Sequence, residues 1–119
     1  MIGTVVLDNE KIKEVVGAYY KDYKNVVVFF KEICEKERTG IVVSHTEEIQ
    51  NSVSVVLDEE LEIEDLKEIF TYLFKNKGYV TENVRLNTKT CGSGYGEYIR
   101  LDSIDVRFKS KEKVKQKTL

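Results

Sequence analysis

Residues 81–108 read TENVRLNTKTCGSGYGEYIRLDSIDVRF, and the fold depends on how they alternate. Side chains point to opposite faces with period 2 along an extended chain, so Val84 and Leu86 share one face while Arg85, Asn87 and Lys89 share the other. Beyond the glycine-rich segment the pattern returns, with Ile99 and Leu101 alternating with Tyr98 and Arg100. Two strands joined by a turn are the reading: a hairpin with an apolar and a polar face. The apolar parity then switches, because Ile99 and Leu101 are odd whereas Ile104, Val106 and Phe108 are even. One extra residue near Asp102 and Ser103, a β-bulge, restores the alternation.

The turn holds the segment's ligand chemistry. Gly92, Gly94 and Gly96 alternate with Ser93 and Tyr95, and glycines let a second backbone or a phosphate come close to the main chain. No Gly-Lys-Ser/Thr comes after it, so this is no Walker loop, and a strand rather than a helix comes next, so it is no dinucleotide fingerprint. A glycine loop over phosphates inside a hairpin is also the protein-kinase arrangement, but the other kinase elements are missing. Two readings stand side by side: a plain hairpin tip, or an anion-binding surface. In the second, Arg85, Lys89 and Arg100 hold phosphate, Tyr95 and Tyr98 offer stacking platforms, and Gly92, Gly94 and Gly96 permit close approach.

Working outward, 62–77 has the clearest helical pattern. Leu66, Ile69, Phe70, Leu73 and Phe74 form one stripe, acids crowd its first turns, and Gly78 stands where a helix ends. Ile41–Thr46 and Ile49–Leu57 read as a second hairpin turning at Glu47 and Glu48, with Val53 and Val55 alternating with serines. Near the start, Ile2–Leu7 is β-prone and Asp8 or Asn9 can cap a helix beginning there. Ile12, Val15, Val16, Tyr19 and Tyr23 recur at the spacing of that helix. The stretch NVVVFFKEIC, 25–34, is ambiguous. Its β-branched run favours a strand, yet Val26, Phe30, Ile33 and Cys34 continue the helical stripe and Lys31–Glu35 and Glu32–Lys36 are spaced as helical ion pairs. Helix to about Arg38 is the preferred reading.

The order β-α-(α or β)-β-β-α-β-β predicts an α+β fold, an antiparallel sheet of hairpins packed on one face against two or three helices. Two successive helix-plus-hairpin units suggest a structural pseudo-repeat. One domain is expected over 1–108, with a flexible basic tail over 109–119. That tail carries five lysines against one glutamate, +4, so with the chain at −2 the body carries −6. Seven acids against one lysine fall in 58–68. Opposite charges on body and tail, together with sheet edges, lead to an expectation of homo-oligomers.

Composition excludes more than it selects. No apolar run reaches the ~20 residues of a membrane span, and the first eight residues do not resemble a signal peptide, so a cytoplasmic protein is expected. Cys34 and Cys91 form no CxxC pair and His45 is the sole histidine, which leaves no zinc set, disulfide framework or other cofactor motif. His45 on a strand, with no nucleophile or acid fixed beside it by spacing, reads as an ordinary strand histidine. Expected, then, is a non-enzymatic protein binding a nucleotide or single-stranded nucleic acid on the 81–108 hairpin, with sequestration as its use. A protein-interaction or inhibitor protein acting through its acidic surface or an edge strand is the alternative, and a Lys-, Glu-, Ile- and Asn-rich composition would suit a phage or mobile element. A metal-dependent nuclease built on Glu97, Asp102 and Asp105 is the third.

Overall fold

The computed structural model describes residues 2–35, 38–94 and 96–110. The described residues form strand β1 (Ile2–Asp8), helix α1 (Asn9–Tyr19), strands β2 (Lys24–Phe30), β3 (Arg38–Gln50) and β4 (Val53–Glu62), helix α2 (Ile63–Phe74) extended by a 3₁₀ turn at Lys75–Lys77, and strands β5 (Tyr79–Ser93) and β6 (Gly96–Ser110). The fold is α+β, but in place of the single sheet that the patterning predicts there are two antiparallel three-stranded sheets, ordered β1-β6-β5 and β2-β3-β4. The chain is a β-α-β-β unit written twice, and each sheet joins the last two strands of one unit to the first strand of the other. Strand exchange of this kind leaves no mark on local patterning, which is why the pattern alone points to one sheet.

Local chemistry sets the helices. The Asp8 carboxylate accepts from Lys11 N–H at 2.9 Å and starts α1, and Asp65 accepts from Glu62 N–H at 2.8 Å at the start of α2. Gly78, with φ of 79°, ends the 3₁₀ turn in the left-handed region. Ile12 and Val16 of α1 and Leu66, Ile69 and Phe70 of α2 are buried in one core with Ile41, Val43 and Leu61 of one sheet and Val84, Leu101, Ile104 and Val106 of the other. The molecule measures 62 × 48 × 22 Å, and the short axis is about the depth of one sheet and one helix layer. The second face of each sheet therefore meets no helix. Neither helix is long and apolar enough to cross a membrane.

Three expectations are corrected. Residues 24–30 are a strand, not a continuation of α1: Asn25 takes φ of 53°, which no α-helix tolerates, and half-buried Val26, Val28 and Phe30 alternate with exposed Val27 and Phe29. Cys34, which the helical stripe would bury, is exposed, and Lys36, spaced for a helical pair with Glu32, lies outside the described residues. The turn of the second hairpin lies at Asn51 and Ser52 rather than Glu47 and Glu48, since β3 runs on to Gln50. Finally β6 extends to Ser110, so Lys109, expected in the tail, pairs with Ile2 and Val80. Residues 111–119 lie outside the described residues.

Candidate functional site

The β5–β6 hairpin carries the expected bulge. Asn87 pairs with Ser103 and Thr88 with Leu101, so Asp102 is the extra residue. Below the bulge Val84 and Leu86 face Val106 and Ile104, and the bulge allows Leu101 to enter the same core. The cross-strand pairs Arg85–Asp105, Asn87–Ser103, Lys89–Arg100 and Cys91–Tyr98 consequently share the opposite face. Four of the residues singled out from the sequence, Arg85, Lys89, Tyr98 and Arg100, thus stand on one face.

Their surroundings differ. Arg85 is exposed and no ion pair to it is found among the described residues. Lys89 Nζ lies 3.6 Å from Asp102 Oδ1, both of them exposed, so the pair contributes little to stability. Arg100 is half-buried and its Nη2 donates to the Phe30 carbonyl at 2.9 Å. This bond, with Ile33 N–H to the Ile99 carbonyl at 2.7 Å, ties β6 to the end of β2, so Arg100 has a scaffolding duty that its sequence position does not reveal. Asn87 Nδ2 donates to Ser103 Oγ and Asp105 Oδ1, each at 3.0 Å. Tyr98 is 38% exposed. The acids that balance this face are Asp102 and Asp105; Glu82 instead pairs with Arg107 at 3.0 Å.

The glycines have a steric task. A Cβ on Gly92, at φ of 102°, would sit 2.3 Å from the Gly96 carbonyl oxygen, so the hairpin closes only with glycine there. Gly96 has φ of 145° and pairs with Ser93, leaving Gly94 in the turn. Tyr95 lies outside the described residues. The three carboxylates considered for a nuclease are separately engaged or apart: Asp102 meets Lys89, Asp105 accepts from Asn87, and Glu97 pairs across from Gly92. No group of His, Cys, Asp and Glu among the described residues is arranged to hold a metal ion.

A second constellation surrounds His45. Its side chain is 1% exposed; Nε2 lies 3.6 Å from Glu59 Oε2 and 4.0 Å from Glu47 Oε2, while Nδ1 is buried with no hydrogen-bond partner among the described residues. The Tyr23 ring sits 4.3 Å and the Tyr20 ring 5.6 Å from the imidazole, centroid to centroid. Burial, and then the Glu59 carboxylate, push the Tyr20 hydroxyl up to about 12. His45 shares its parity with buried Ile41 and Val43, so its place on the core face is legible in the sequence. Glu59 is not, because a turn placed at Glu47 and Glu48 sets β4 in the wrong register. The cluster brings one imidazole, two carboxylates and two phenols together.

The acidic block at 58–68 is largely occupied within the chain. Glu60 pairs with Lys31 at 3.1 Å, Glu62 with Arg38 at 3.9 Å and Glu64 with Lys67 at 3.4 Å. Glu59 faces His45 and Asp65 caps α2. No family model, curated protein or solved structure matches this chain.

Proposed function

We propose that this is a non-enzymatic binding protein that holds single-stranded nucleic acid along the outward face of the β5–β6 hairpin and sequesters it. The observation that carries the reading is the register: it lines Arg85, Asn87 and Lys89 on β5 beside Tyr98 and Arg100 on β6, on a face that no helix covers. Residues alternating along a strand recur every ~6.7 Å, giving a row of donors that can track a phosphate backbone, with Tyr98 as a base platform. Small-molecule sites are concave; an open strand face favours an extended ligand over a free nucleotide. Arg85 leads the row because it is exposed and has no ion pair among the described residues, whereas Arg100 orients the face through Phe30.

The test is fluorescence anisotropy with a labelled oligothymidylate of about 12 nucleotides. Binding should weaken steeply between about 50 mM and 200 mM salt. Arg85→Ala should lose about 1.5–3 kcal/mol, the worth of a charge-assisted hydrogen bond, and Tyr98→Ala about 1–3 kcal/mol of stacking, with thermal stability nearly unchanged in both. Absence of binding at low salt, or equal affinity in wild type and Arg85→Ala, rejects the proposal.

A further inference from the structure

On the opposite side of the same sheet, the helix layer stops short of the start of β1. Val5 pairs with Val106 and Gly3 with Phe108, so both lie on the face that the helices cover elsewhere, yet Val5 is 46% exposed. A cleft of about 270 Å³ opens there, walled by Val5, Phe74, Tyr79 and Phe108. The wall is aromatic and ordered: Phe74 meets Phe108 edge-on at 5.1 Å and Tyr79 approaches it at 6.3 Å.

Two residues give the cleft a chemical preference. Gly3 has no positive φ to explain it, and a Cβ built on it meets nothing within 4 Å. Glycine weakens a strand, and one inside a strand often marks close approach of a ligand; any larger residue at position 3 would reach into the open space. Among the described residues, Lys77 is the one charged residue lining the cleft; it is exposed and has no ion pair found among them. Among the described residues that line it, the chamber is apolar but for a single cation and has no acid, which makes it complementary to a small amphipathic anion. At ~30 Å³ for each liquid-water-sized volume, the space suits a chain of roughly ten heavy atoms.

We infer that this cleft binds a medium-chain aliphatic carboxylate, its tail against Phe74, Phe108 and Val5 and its head at Lys77. The site is separate from the outward face of the hairpin, and its test does not depend on nucleic-acid binding. Sodium decanoate, below its micelle concentration, is titrated into the isotopically labelled full chain and monitored by amide chemical shifts, with decyltrimethylammonium as the charge-inverted probe. Decanoate should saturate, moving the amides of Gly3, Thr4, Val5, Lys77 and Tyr79, and should bind about tenfold more tightly than the cation. Lys77→Glu, an exposed substitution that leaves the core intact, should reverse that preference. Gly3→Leu, which fills the chamber, should abolish saturation. No saturation by decanoate, equal affinity for both head groups, shifts centred elsewhere, or an unchanged preference in Lys77→Glu each overturns the inference.

Discussion

Tyr20 closes α1 and shows what burial does to a single hydroxyl. Its ring rests edge-on against Tyr19 at 5.1 Å and beside His45, and burial, with Glu59 second, raises its pKa to about 12. An unfolded tyrosine ionises near 10, so the folded state holds this proton more firmly than the unfolded chain. The contribution to stability is therefore complete below about pH 10 and is lost as pH rises through about 12. Spectrophotometric titration should show one of the seven tyrosines ionising later than the rest, and Tyr20→Phe should remove that late step. Urea midpoints should also fall less between these pH values in Tyr20→Phe than in wild type. A single titration near 10 for every tyrosine contradicts the assignment.

At the scale of elements, the bulge at Asp102 decides which side chains of β6 enter the core. Without it, the parity of Ile104 and Val106 would carry Arg100 inward and Leu101 outward. Leu101 is 1% exposed, and emptying a fully buried leucine site costs about 2–5 kcal/mol. Deleting Asp102 should therefore destabilise the protein by at least about 2 kcal/mol in urea unfolding; an unchanged midpoint would mean that something else holds Leu101 in place. This bulge is legible in the sequence because an odd-to-even switch in apolar residues has one cheap solution in a strand. The α2 stripe is legible because acids, apolar residues and Gly78 all indicate the same boundaries. Strand β2 is not: as an edge strand it is apolar on both faces, and an uninterrupted apolar run fits helix and strand alike. What separates them is the left-handed Asn25, a backbone fact that residue spacing does not carry. The site shows the same division. Shared parity of Arg85, Lys89, Tyr98 and Arg100 can be read directly, whereas the bond from Arg100 to the Phe30 carbonyl joins residues 70 positions apart and has no local signature.

At the scale of the whole molecule, four sheet edges remain among the described residues, and they are unequally protected. Strand β5 carries Glu82, Arg85 and Lys89 along its length and β4 carries Asp58, Glu59, Glu60 and Glu62 in its second half, as edges that resist association do. Strands β1 and β2 lack charged residues from Ile2 to Leu7 and from Asn25 to Phe30. On β2, Val27 is 56% and Phe29 41% exposed, and the flanking Lys24 and Lys31 are paired with Glu48 and Glu60. Two copies of this edge present the same backbone groups and no net repulsion. Light scattering at micromolar concentration should show a mass above that of the monomer, and Val27→Lys, which places a charge on the edge, should lower it. A monomer in low and high salt alike removes self-association from the account.

The exchange of first strands between the two halves also fixes an order of events during synthesis. Strands β2, β3 and β4 are consecutive and can assemble as they emerge, but β1 waits for β6, since Ile2 meets Lys109 and Asp8 meets Ser103. At ribosomal speeds of about 5–20 residues per second, that wait is on the order of ten seconds. For that interval an uncharged, β-prone segment of the nascent chain has no native partner, and such a segment is a place where chains from neighbouring ribosomes can pair with one another. Closing so distant a contact also puts the last step of folding among the slow ones. Asp8, which caps α1 and ends β1, joins the waiting strand directly to the helix.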